Sequence, residues 1–165
     1  MRKRTEMYYE NPIAYGEKIE KELSKLEKTA EKKGLKPTAR LNGTSDLDFS
    51  ELYDKFPNIQ FREYTKGFDF YFDKQGKKKN VHYVFSVSEK TTKEEILKVL
   101  KSGGQVAMVM KKQSKKYLGF PVISGDDNDL TFLKPKGIVL ALKPKGKARK
   151  ATKNGFIKIE RKKAA

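Results

Sequence analysis

The chain has 165 residues, no cysteine and one histidine, and its 38 Lys and Arg against 21 Asp and Glu leave a net charge of +17. This composition excludes disulfides, thiolate metal sites and cysteine nucleophiles, and leaves no second imidazole for paired-histidine acid–base chemistry. The cationic excess is larger than solubility needs and selects a polyanion as partner, nucleic acid first.

The length suits one domain with a real core. Apolar and charged residues each make up 36%, yet the hydrophobic segments remain periodic, so the expectation is a globular domain with heavily charged faces. No apolar core follows the basic start Met1–Glu6, and no apolar run reaches membrane-spanning length. The expected location is therefore the cytoplasm, with no membrane association.

Residues 13–33 carry a helical stripe of Ile13, Ile19, Leu23, Leu26 and Ala30, with Asn11-Pro12 as start signal and Gly34 as stop. A strand-like Thr38–Leu41 then runs into Asn42-Gly43-Thr44-Ser45-Asp46, followed by a short helix near Asp48–Phe56. At the carboxyl end of a strand such residues form a candidate anion site: Gly43 permits close backbone approach or positive φ, and Asn42, Thr44 and Ser45 supply donors. The structural alternative is that Ser45, Asp46 or Asp48 caps the next helix. Arg40 is expected to point into the fold, with Asp46 or Glu63 as its partner.

Ile59–Tyr64 predicts a second strand, ending in Thr65-Lys66-Gly67. Residues 67–80 interleave Phe68, Phe70, Tyr71 and Phe72 with acids before Lys77-Lys78-Lys79, which predicts a short aromatic helix and a basic loop able to touch phosphates. Val81–Val87 predicts a third strand, with His82 as a packed or edge histidine. Thr92-Lys-Glu-Glu95 matches a capping box opening a helix with Ile96, Leu97, Val99 and Leu100; Ser102-Gly-Gly104 ends it. Val106–Met110 is an unbroken apolar run of the kind covered on both faces.

Beyond Lys111, Tyr117–Ile123 and Gly137–Leu142 are strand-like, Leu130–Leu133 suggests a short extended piece, and Gly155–Ile159 a last strand. This half is expected to be antiparallel or irregular. Asp126, Asp127 and Asp129 are dense enough to hold a divalent cation such as Mg2+, although a turn between strands explains them too and the EF-hand spacing fails. From Lys143 to Lys163 ten Lys or Arg face only Glu160, which makes Lys143, Lys145, Lys147, Arg149 and Lys150 candidate phosphate contacts. Regular alternation of strand and helix predicts an α/β fold, with a largely parallel sheet and flanking helices, or a partial, distorted (β/α) barrel. The expected division is one α/β domain over 1–150, with 151–165 a basic tail or final strand.

Arg40-Leu-Asn-Gly-Thr-Ser-Asp46, Tyr64-Thr-Lys66, Ser86-Val-Ser-Glu89, Gly104–Lys111 and Gly119-Phe-Pro-Val-Ile-Ser-Gly-Asp126 with Asp129 occur in order along the chain. Leu133-Lys-Pro-Lys-Gly137 and Leu142–Arg149 complete the set, which together resembles the gene product 88-like family of bacteriophages and other mobile elements. Longer members of that family carry an upstream cysteine-containing segment, so this chain resembles a shortened form without it. The resemblance implies a mobile-element context, in which small basic proteins act on nucleic acid or host-defence nucleoproteins. It supplies no reaction.

Three functions fit these observations. The first is a nucleic-acid-binding counter-defence protein, of the kind that inhibits a CRISPR-type effector, with RNA, DNA or a host nucleoprotein as partner. The second is a metal-dependent nuclease in which Asp46, Asp126 and Asp129 hold Mg2+ and Arg40 or Lys66 stabilises developing charge. The third is a protein–protein inhibitor with a basic face.

Overall fold

Asn11 and Pro12 start a 21-residue helix where their order predicts it: the Asn11 Oδ1 accepts the Ala14 N–H at 2.9 Å, and Gly34 leaves the helix at φ 61°. The computed structural model describes residues 2–43, 46–150 and 157–158, the side chains of 2–5, 147, 150 and 158 excepted. In chain order the elements are α1 (Arg2–Glu10), α2 (Pro12–Lys32), β1 (Thr38–Ala39), α3 (Ser50–Lys55), β2 (Gln60–Thr65), α4 (Phe68–Lys74), β3 (Val81–Ser86) and α5 (Lys93–Lys101). Then follow β4 (Gln105–Met110), β5 (Lys116–Tyr117), β6 (Phe120–Ser124), β7 (Ile138–Leu142) and β8 (Ile157–Lys158).

The strands form one sheet in the order β1-β2-β3-β4-β7-β6-β5, with β8 also paired to β4. Every pair is parallel except the β5–β6 hairpin. The sheet is open, with β1 and β5 at its ends, so the barrel alternative is corrected to an open α/β sheet. The second half meets the antiparallel expectation only in the β5–β6 hairpin, because β6 runs parallel to β7. Tyr117–Ile123 is broken by a turn in which Leu118 (φ 50°) and Gly119 (φ 86°) are both left-handed, the geometry that matches strand twist in a two-residue hairpin. Leu130–Leu133, expected as extended, holds a single 3-10 turn over Thr131–Leu133.

The crossovers from β1 through α3, β2 through α4 and β3 through α5 all step the same way along the sheet. Right-handed crossovers therefore stack these helices on one face. Against them lie Phe61, Tyr83, Phe85, Val106, Met108 and Val139, and the helices contribute Leu52, Tyr53, Tyr71, Ile96, Val99 and Leu100 to one continuous core. α2 adds Leu23 to it, whereas Ile13, the first residue of the expected stripe, is exposed. The predicted capping box of α5 forms in full: Thr92 Oγ1 accepts the Glu95 N–H at 3.2 Å and Glu95 Oε2 accepts the Thr92 N–H at 2.7 Å.

The connection from β6 to β7 steps backwards, so the same handedness sends residues 125–137 to the opposite face. Gln105 fastens it there. Its buried Nε2 donates to the carbonyls of Thr131 (2.9 Å), Lys134 (3.1 Å) and Pro135 (2.9 Å). Its oxygen therefore faces His82 Nε2 at 3.0 Å, which assigns the imidazole proton to Nε2. Burial holds His82 below its usual range against the opposing pull of this bond, so His82 is a packed residue of the network.

Candidate functional site

At the carboxyl end of β1, Asn42 is 2% exposed and occupied with the fold. Its side chain closes the 42–47 loop, accepting the Leu47 N–H and donating to the Leu47 carbonyl, both at 2.9 Å. Beneath it the buried Glu63 carboxylate accepts the N–H groups of Leu41 (2.9 Å) and Asn42 (3.0 Å). Burial pushes Glu63 above its ordinary value, opposed by those two bonds, the nearby Tyr53 hydroxyl and the charge of Arg40. The Tyr53 hydroxyl is buried beside Glu63 and Tyr83 without a hydrogen bond of regular geometry, and that burial drives its own titration upward.

Arg40 corrects its expected place. β1 ends at Ala39, so strand alternation no longer governs the next residue; Arg40 is exposed. It donates to the carbonyls of Asn42 (2.9 Å) and Gly43 (3.2 Å), and its guanidinium lies 4.5 Å from the Tyr64 ring centroid. Gly43 has no positive φ, and among the described residues no atom lies within 4 Å of where its Cβ would stand. Thr44 and Ser45 lie outside the described residues. The N-cap of α3 is Phe49, which offers no side-chain bond; one residue ahead of it, Asp48 Oδ1 accepts from the Ser50 N–H (2.9 Å) and hydroxyl (2.5 Å), while Oδ2 pairs with Lys74 at 2.8 Å. That Lys74 bond, with Ser50, holds Asp48 down at about 2.

The three clustered carboxylates diverge. Asp126 accepts the Lys143 N–H at 2.8 Å and pairs with Lys145 at 2.8 Å, which holds it below its ordinary range. Asp127 accepts the Ser124 hydroxyl at 2.9 Å, and Asp129 crosses to Arg62 at 2.8 Å on the other face. Asp46 follows β1, five strand positions from β6, roughly 24 Å away at the usual spacing. Among the described residues no group of three His, Asp or Glu is placed to hold a metal, so Asp46, Asp126 and Asp129 do not converge on one. Lys66 is exposed beyond β2, on the Asp46 side of the sheet.

Nor do the basic clusters meet. α4 carries the chain back to the amino end of the sheet, so Lys77-Lys78-Lys79 stands just before β3. There Lys77 pairs with Asp73 at 2.6 Å and Lys78 with Asp54 at 2.5 Å. Lys143, Lys145 and Arg149 follow β7 at the carboxyl end, about 20 Å away over six-residue strands. The side chains of Lys147 and Lys150 lie outside those described.

That carboxyl end holds the feature with most chemical capacity. The chain leaving β4 passes β7 to reach β6, while the chain leaving β7 returns on the far side of β4, where β8 pairs with Val109 and Met110 beyond the last β3 contact at Ala107. β4 and β7 are thus neighbours whose outgoing connections diverge, and a parallel sheet opens a crevice at such a switch point. A cavity of about 290 Å³ lies there, lined by Met110, Lys111, Gln113, Ser124, Asp126, Ala141, Leu142, Lys143 and Pro144. Gly125 packs closely beside it: a Cβ would meet Leu142 Cδ2 at 2.8 Å and Leu140 Cβ at 3.2 Å. Lys111, Lys112 and Lys143 stand at this end, and none makes an ion pair among the described residues; Lys115 and Lys116 lie further down the sheet, beside Val122 and Pro121 of β6. No local motif marks Lys111 or Gln113; their meeting with Ser124 and Lys143 follows from strand order alone.

A second cavity, of about 410 Å³, lies between α2 and the edge strand β1. Tyr15, Ile19, Leu23, Leu26 and Leu41 make its walls largely apolar, with Lys18, Glu22 and Arg40 of mixed sign beside them. Among the described residues no helix is long and apolar enough to cross a membrane.

Residues 2–158 match the family described as Gene product 88, and the chain belongs to that family. No curated protein and no solved structure matches the chain.

Proposed function

We propose that this member of the Gene product 88 family is a nucleic-acid-binding accessory protein of a phage or mobile element. It engages phosphates with the carboxyl edge of its sheet, and acts in counter-defence by occupying the RNA or DNA of a host nucleoprotein. The observation that carries this reading is the set of lysines at the switch-point crevice that make no ion pair among the described residues: Lys111, Lys112 and Lys143. Residues 111–150 hold eleven Lys or Arg against three carboxylates, so an approaching polyanion meets little repulsion there. Asp126, the carboxylate inside the crevice, is compensated by Lys145.

Three lysine–phosphate contacts release three sets of condensed counterions, so log K against log salt should fall with a slope of about −2 to −3. The check is fluorescence anisotropy with labelled oligonucleotides between low and physiological salt. A slope shallower than about −1 removes the proposal. Protein purified at low salt is further expected to carry nucleic acid, seen as a raised 260/280 absorbance ratio that nuclease treatment lowers.

A further inference from the structure

We infer that the switch-point crevice seats one unpaired nucleotide, so that the chain binds single-stranded nucleic acid in preference to duplex; this rests on the nucleic-acid reading above. The shape of the site carries the inference. Reading a duplex needs a protruding helix or ribbon to enter a groove about 12 Å wide. The feature here is concave, and a concave site receives a base only after that base has left the stack. At about 290 Å³ it stands at the low end of small-ligand clefts, which span roughly 300–1,000 Å³. That is room for one nucleotide and not for a base pair.

The lining is divided as a nucleotide is. Leu142 and Pro144 offer an apolar wall to a base face, and Gln113 brings an amide with both donor and acceptor to a base edge. Lys111 and Lys143 stand at the ends of β4 and β7, one on each side, where the flanking phosphates of a strand threading the switch point would pass. Both oxygens of Asp126 are already engaged, by the Lys143 N–H and by Lys145, which limits its repulsion of those phosphates.

The test is anisotropy at one low salt concentration with a labelled 12-nucleotide RNA, the matching DNA and the duplex of each, on the full chain and on Gln113→Ala. Gln113 is exposed, so its truncation leaves the core intact. Single strands are expected to bind at least tenfold more tightly than duplexes, with Gln113→Ala erasing several-fold of that preference while duplex affinity stays unchanged. The stronger of the RNA and DNA arms identifies the source of the strand. Equal binding of single strand and duplex overturns the inference and leaves the proposed function standing, as does a preference that Gln113→Ala does not alter. Binding of neither removes both.

Discussion

Glu63→Ala is expected to cost about 3 kcal/mol, because it removes the acceptor of two backbone donors and leaves a gap in the core. The Glu63 carboxylate, 1% exposed, is the acceptor for the Leu41 and Asn42 N–H groups, and these fasten the end of β1 and the 42–47 loop onto β2. Alanine removes the carboxylate oxygen to which the buried Asn42 N–H donates. Relief of the carboxylate's own desolvation keeps the loss from being larger. Glu63→Gln keeps the volume and one acceptor but turns an N–H₂ toward the second donor, so it should fall between wild type and alanine in urea unfolding.

The same residue gives a pH signature. Glu63 titrates above its ordinary 4.5 in the folded chain, so the native state holds a proton that the unfolded state has already released. Stability then falls as pH rises from about 4.5 through the folded value, and is flat for this group above it. Glu63→Gln lacks this segment, so the stability advantage of wild type over the variant should narrow as pH rises through that window. A constant difference would mean that Glu63 does not titrate in this way.

Gly104→Ala is the second large effect, and it is steric. Gly104 has ordinary φ, but an added Cβ would stand 2.2 Å from the Tyr71 Oη, 2.8 Å from Val99 Cγ1 and 2.9 Å from the Val99 carbonyl oxygen. Tyr71 is 1% exposed, with its ring edge-on to Phe72 and Phe85, so it has no room to swing aside. The carbonyl belongs to the backbone of α5. Overpacking at such a point costs about 3 kcal/mol, which lowers the melting temperature by roughly 10 °C at this size. Gly103→Ala is the control: its φ of 82° carries a conformational cost while the nearest atom lies 4.0 Å away. It should lose only about 1 kcal/mol.

Periodicity made much of the fold legible. The stripe of α2, the capping box of α5 and the apolar run of β4 each declare their element and their buried side within a few residues. The place of β7 between β4 and β6 was not legible, because parallel pairing leaves no local mark and the crossover that sets it is long. The hairpin at Leu118-Gly119 was missed because a leucine stands where Asn or Gly advertises a left-handed turn.

Residue type misled at the candidate site for a related reason. Asn42 is as small and polar as a ligand-binding residue, yet it is spent on closing its own loop. The two basic runs look alike in sequence, but α4 reverses the chain between β2 and β3 and puts Lys77-Lys78-Lys79 at the other pole, beside Asp54 and Asp73. Which lysines share a surface depends on strand order, and strand order is not written in any single segment.

The most direct test of the account separates those two poles at equal charge. Lys111, Lys143 and Arg149 are replaced together by alanine in one variant, and Lys77, Lys78 and Lys79 in another, so each loses three positive charges. Affinity for a single-stranded 12-mer and its salt slope are then measured for both. The account predicts that the carboxyl-end variant loses at least tenfold in affinity and about 2 in slope, at ~0.7 for each phosphate contact on a single strand. The amino-end variant should stay within twofold of wild type. Equal losses, or a larger loss from the amino-end variant, would contradict it and return the binding to a diffuse positive charge.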